Sequence, residues 1–146
     1  MKTRLLLLAA LFGLSFSAFV FADMKPEKMQ MLRHANPMPN LMQVVFKKAD
    51  ELDLTEEQSK ALKAWHGKNR PRVMKLVKQV HELEKKLAQE ALEGASGAVL
   101  QQITNQIFQA RQGIIETKLA CRNHLHDVLK PEQWDKVVEL YKASHK

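Results

Sequence analysis

Residues 54–92 read LTEEQSKALKAWHGKNRPRVMKLVKQVHELEKKLAQEAL, and this stretch decides the fold. Its opening, Leu54-Thr55-Glu56-Glu57-Gln58, is a helix start written in side chains. Thr55 supplies a hydroxyl that can accept from the backbone of the first turn, and Gln58 is placed to reach back to the cap amide. Glu56 and Glu57 set negative charge where the helix dipole is positive. Apolar residues then recur at three- and four-residue steps: Leu62, Trp65, Val73, Leu76, Val80, Leu83 and Leu87. That period predicts one amphipathic helix from Glu56 to about Leu92. At about 1.5 Å per residue it would be on the order of 55 Å long. Pro71 falls inside it, and its ring opposes the carbonyl of Gly67. The expected result is a kink between Gly67 and Pro71, not a boundary between domains.

Downstream, Glu93-Gly94-Ala95-Ser96-Gly97 reads as a turn, with Gly94 as a left-handed terminator and Ser96 as the next cap. Val99, Ile103, Ile107, Ala110, Ile114, Cys121, Leu125 and Val128 give a third helix one apolar stripe, with Thr117 and Lys118 near its gap. Leu129-Lys130-Pro131-Glu132-Gln133 then punctuates the chain. Pro131 suits the first position of a last helix, whose face is Trp134, Val137, Val138 and Tyr141. Upstream, Leu41, Val44, Val45 and Leu52 define a short first helix. No segment alternates with the period of a strand. The expected fold is all-α: four helices, with the two long ones forming an antiparallel hairpin. So thin a hairpin cannot cover both its faces, so it either dimerises or leaves an apolar face for a partner.

The chain outside these helices divides in two. Residues 1–22 read as a signal peptide: Lys2 and Arg4, an apolar run from Leu5 to Leu14 broken at Gly13, and Val20 and Ala22 at the −3 and −1 positions of a cut after Ala22. An uncleaved membrane anchor is the competing reading, since the apolar stretch reaches about Phe21. Residues 23–40 read as a flexible methionine-rich arm with Pro26, Pro37 and Pro39. Residues 41–146 then form a single helical domain. Without Lys2 and Arg4 the formal charge falls from +7 to +5. Export removes chromosomal DNA as a partner and leaves membrane surfaces and acidic or unfolded polypeptides. The single Cys121 cannot close an internal disulfide.

The two pentapeptides at Leu54, Thr55 and Gln58 and at Leu129, Pro131 and Gln133 resemble the paired LTxxQ motifs of the Spy/CpxP family. The first matches fully, while the second has Lys130 in place of the threonine and lacks the capping hydroxyl. The resemblance covers roughly Leu41 to Tyr141. It implies a periplasmic, cradle-shaped helical homodimer. It also implies one of three roles: an ATP-independent chaperone that holds unfolded or misfolded envelope proteins, an inhibitor of a membrane sensor kinase in the envelope-stress response, or a zinc- or heavy-metal-responsive protein.

Three features carry functional expectations of their own. Lys60, Lys63, Lys68, Arg70, Arg72, Lys75 and Lys78 form a basic run uninterrupted by acid, suited to attracting net-acidic unfolded clients and equally to a solvated helix face. Met29, Met31 and Met38 near His34 form a soft-ligand set for Cu(I), or adaptable apolar contacts for clients. Cys121 and His124, one helical turn apart, offer two ligands to zinc or copper. Cys121 also fits a buried core position or an intersubunit disulfide. Trp65 and Trp134 are expected as core anchors at the two hairpin ends, and His66, His81 and His145 as surface residues. No nucleophile–base spacing, glycine-rich phosphate loop or carboxylate pair appears, so neither an enzyme nor a resident cofactor is expected.

Overall fold

The computed structural model describes residues 34, 35 and 38–144. The expected signal peptide, Met29, Met31 and His145 lie outside them. Within residues 38–144 four helices follow one another: α1 (Leu41–Lys47), α2 (Glu56–Leu92), α3 (Gly97–Val128) and α4 (Pro131–Ala143), with a 3₁₀ turn at Ala49–Glu51 after α1. There is no strand among the described residues, and no helix among them is long and apolar enough to cross a membrane.

The helix limits follow from capping chemistry. The Thr55 hydroxyl accepts from the Gln58 N–H at 3.2 Å, and Gln58 Oε1 accepts from the Thr55 N–H at 3.0 Å. Two of the four unpaired N–H groups at the start of α2 are thereby satisfied or shielded. The Ser96 hydroxyl accepts from the Val99 N–H to start α3. Between the two, Gly94 adopts φ +81°, which costs an L side chain about 1–2 kcal/mol and glycine nothing. Helix α2 runs unbroken through Pro71.

Packing resolves into two apolar clusters. One lies along the hairpin shaft and joins Val77 and Val80 of α2 to Ile103, Ile107, Ala110 and Ile114 of α3. Gly113 faces Leu76 there, and a Cβ on it would meet Leu76 Cδ1 at 3.1 Å, so the small residue sets how closely the two helices approach. The other cluster lies at the base, where Leu62, Cys121 and Leu125 of the hairpin meet Val45 of α1, Val137 of α4 and the linkers Leu52 and Leu129. Leu62, Leu125, Val45 and Val137 are fully buried.

The expected stripes hold with informative differences. Thr117, at the expected gap in α3, is itself buried and turns its hydroxyl to the Gly113 carbonyl at 2.8 Å. Val77 joins the core and Val99 is exposed. Trp65 and Trp134 both pack on the base cluster, so they anchor one end of the hairpin and not two. The antiparallel register explains this: Trp65, near the start of α2, lies against His124 near the end of α3, and α4 follows directly from there.

Candidate functional site

The two pentapeptides meet in space. Leu54 is half-buried against the base cluster and Leu129 is within it. Gln58 Nε2 donates to the Val128 carbonyl at 2.8 Å and to Gln133 Oε1 at 2.8 Å. Gln133 Nε2 donates to the Leu52 carbonyl at 2.9 Å, and more weakly to the Asp53 carbonyl and to Gln58 Oε1, each at 3.3 Å. Each glutamine also keeps its oxygen on its own cap amide, Thr55 for Gln58 and Lys130 for Gln133. The result is a reciprocal amide clasp joining the starts of α2 and α4. At Lys130 only half a capping box forms, because an ammonium group has no lone pair to accept from the helix. Pro131 stands at the first turn of α4, as expected.

Lys60, Lys63, Lys68, Arg70, Arg72, Lys75 and Lys78 are all exposed along α2. From first to last the row spans on the order of 27 Å at helical rise. Lys78 meets Glu82 at 3.5 Å, an exposed pair of the kind that contributes little. Large apolar side chains are exposed on the same hairpin: Phe108 at 61 % and Leu119 at 45 % on α3, and Leu92 at the tip.

A cleft of about 90 Å³ opens where α1, α2 and α3 meet. Its lining includes Met42, Met74 and Cys121, with His66, Arg70 and Lys118. Burial pushes the Cys121 thiol above its ordinary value, opposed by the nearby Lys118 and by the Met42 backbone N–H directed at its sulfur. Burial also lowers the Lys118 amine, whose Nζ donates to Asn40 Oδ1 at 2.8 Å. His66 is half-buried, stands edge-on to Phe46 at 5.0 Å and is not the surface residue expected. Burial, Arg70 and Lys118 together lower its pKa, which favours the neutral ring.

Among the described residues, the other expected ligands lie at separate places on the hairpin. His34 Nε2 lies 3.1 Å from Glu84 Oε1 and 3.1 Å from Arg111 Nη2, and Arg111 binds the same carboxylate at 2.6 Å. Beside it Ala35 is buried in the shaft cluster. Met38 is half-buried. Cys121 is buried and unpaired with another cysteine. His124 stacks on Trp65 with ring centroids 5.6 Å apart. Among the described residues no three His, Cys, Asp or Glu side chains gather as metal ligands.

Sequence reading missed the glutamine clasp, the burial of Met42 and the cleft that Met42, Met74 and Cys121 help to line. The clasp had a signal, namely the same pentapeptide before two helices. The cleft had none, since it joins three distant segments.

The family model described as LTXXQ motif family protein matches residues 40–141. No curated protein and no solved structure matches the chain.

Proposed function

Because the chain belongs to the LTXXQ motif family, we propose that it is an exported periplasmic protein that holds unfolded or misfolded envelope proteins without ATP, as part of an envelope stress response. The observation that carries this reading is the row of seven exposed cations on α2, set on a hairpin that also exposes Phe108 and Leu119. Long-range charge brings an acidic unfolded chain to the rod, and dispersed apolar contacts then hold it. Each contact is weak, so release follows from low affinity or from folding of the client, with no nucleotide needed. The reading includes a homodimer and no catalytic step.

The test is stopped-flow capture of an unfolded acidic client. Replacing Lys68, Arg72 and Lys75 by glutamate should slow association by about tenfold at low salt, with the difference closing as ionic strength rises. Unchanged rates and an unchanged salt slope would contradict the electrostatic step. Tight binding to one sensor-kinase domain, without protection of generic clients, would replace the chaperone reading with a purely regulatory one.

A further inference from the structure

We propose that the cleft between α1, α2 and α3 binds a carboxylate carried on a short apolar body, with Lys118, Gln43 and Arg70 holding the charge and Met42, Trp65 and Met74 enclosing the body. No Asp or Glu lines the cleft, while Lys118 and Arg70 both do. A cation would meet like charge there with nothing to offset it, and an anion meets two opposite charges.

A relay of hydrogen bonds makes the lining rich in donors. Lys118 is half-buried and forms no ion pair among the described residues. Its Nζ donates to the neutral Asn40 Oδ1 at 2.8 Å. Asn40 Nδ2 in turn donates to Gln43 Oε1 at 3.1 Å. Both amide oxygens are thereby spent, and Gln43 Nε2 keeps its two N–H groups without an acceptor among the described residues. The relay also overrides a local preference. Asn40 stands at the N-cap of α1, a position where an asparagine side chain ordinarily accepts from the first turn, yet it makes no cap bond. A half-buried ammonium without a counter-charge and a cap residue drawn away from its helix both cost stability. A bound carboxylate offsets that cost by accepting from Lys118 and Gln43. Departures from local rules of this kind are expected at functional sites.

Size limits the occupant. The cleft measures about 90 Å³, and a water-sized group takes roughly 10–15 Å³ of such space, so it holds about six to nine of them. That is a carboxylate with one branched aliphatic chain. Met42 is buried and Met74 and Trp65 are half-buried, an apolar and adaptable wall for such a chain. The same chemistry is offered by a free short-chain acid and by an apolar residue at the carboxyl end of a polypeptide. The site stands independently of client holding, whose electrostatic test changes Lys68, Arg72 and Lys75 and none of the cleft residues.

The experiment follows the two indole N–H signals of the isotope-labelled protein by NMR during titration with isocaproate. Trp65 lines the cleft and Trp134 does not, so the second indole is an internal reference. The Trp65 signal should shift saturably, with a Kd on the order of 0.1–1 mM, and the Trp134 signal should stay. Isocaproamide, the same shape without the charge, and acetate, the charge without the body, should each bind at least about tenfold more weakly. Lys118→Met should weaken isocaproate by at least about tenfold and Gln43→Leu by about tenfold, at unchanged helical content. Lys136→Met, the same charge change on α4, should leave the affinity as it was. A leucine-ending tripeptide that binds with its carboxyl end free and not when amidated assigns the site to chain ends, and binding of isocaproate alone assigns it to free acids. No saturable shift at Trp65, equal binding of isocaproamide or of inorganic phosphate, or full affinity in Lys118→Met would each overturn the proposal. Gln43→Leu keeps the test valid if Lys118→Met does not fold.

Discussion

Removing one amide from the glutamine clasp should cost far more than removing an ordinary surface side chain. In Gln133→Ala the Lys130 N–H loses its acceptor, the Leu52 carbonyl loses its donor, and Gln58 Nε2 loses one of its two acceptors. Three bonds of 2.8 to 2.9 Å disappear. At about 1 kcal/mol net for each, the loss is roughly 3 kcal/mol. The two glutamines are half-buried and the Lys130 amide is exposed, so water recovers part of it, and about 2–3 kcal/mol is the expected range. For a domain of this size that lowers the melting temperature by on the order of 10 °C. Gln58→Ala should cost a similar amount through the Val128 carbonyl and the Thr55 amide. The decisive quantity is the coupling between the two. The direct amide pair predicts a double-mutant interaction energy of about 1 kcal/mol, read from urea unfolding of the wild type, both single variants and the double variant. Additivity within about 0.3 kcal/mol would refute the clasp and leave two independent caps.

Three further outcomes follow from single residues. Lys130→Thr restores the missing hydroxyl acceptor at the start of α4 and should stabilise the protein by about 0.5–1 kcal/mol in urea unfolding. Gly94→Ala places a Cβ on a backbone at φ +81° and should destabilise by about 1 kcal/mol, with thermal unfolding as the readout. His66 has a folded pKa below its ordinary value near 6.5, so between the two the unfolded chain binds more protons. Stability should therefore rise with pH up to about 6.5 and fall on acidification through that window. His66→Phe should flatten this slope in urea midpoints taken across the same range.

The helix starts at Thr55, Ser96 and Pro131 were legible because capping is local chemistry, complete within a few residues. The all-α hairpin was legible because its apolar stripes keep a helical period across both long helices. Lys130 was correctly read as a cap without a hydroxyl. The tertiary pairings were less legible. Gln58 and Gln133 lie 75 residues apart, and the cap roles visible in each pentapeptide concealed the bonds between them. Met42 lies just beyond the methionine-rich arm in sequence, and only the packing of α1 shows it buried in the base core. The two-tryptophan assignment failed for a different reason: stripe membership fixes which face a residue occupies, while only the register of the hairpin fixes which end. That register also brings His124 against Trp65.

The most direct test of the holding function is light scattering from a chemically unfolded, aggregating client, with and without the purified metal-free protein and without ATP. The account predicts suppression of scattering near stoichiometric ratios, weakened by the glutamate substitutions at Lys68, Arg72 and Lys75. Full aggregation in the presence of the protein would contradict it.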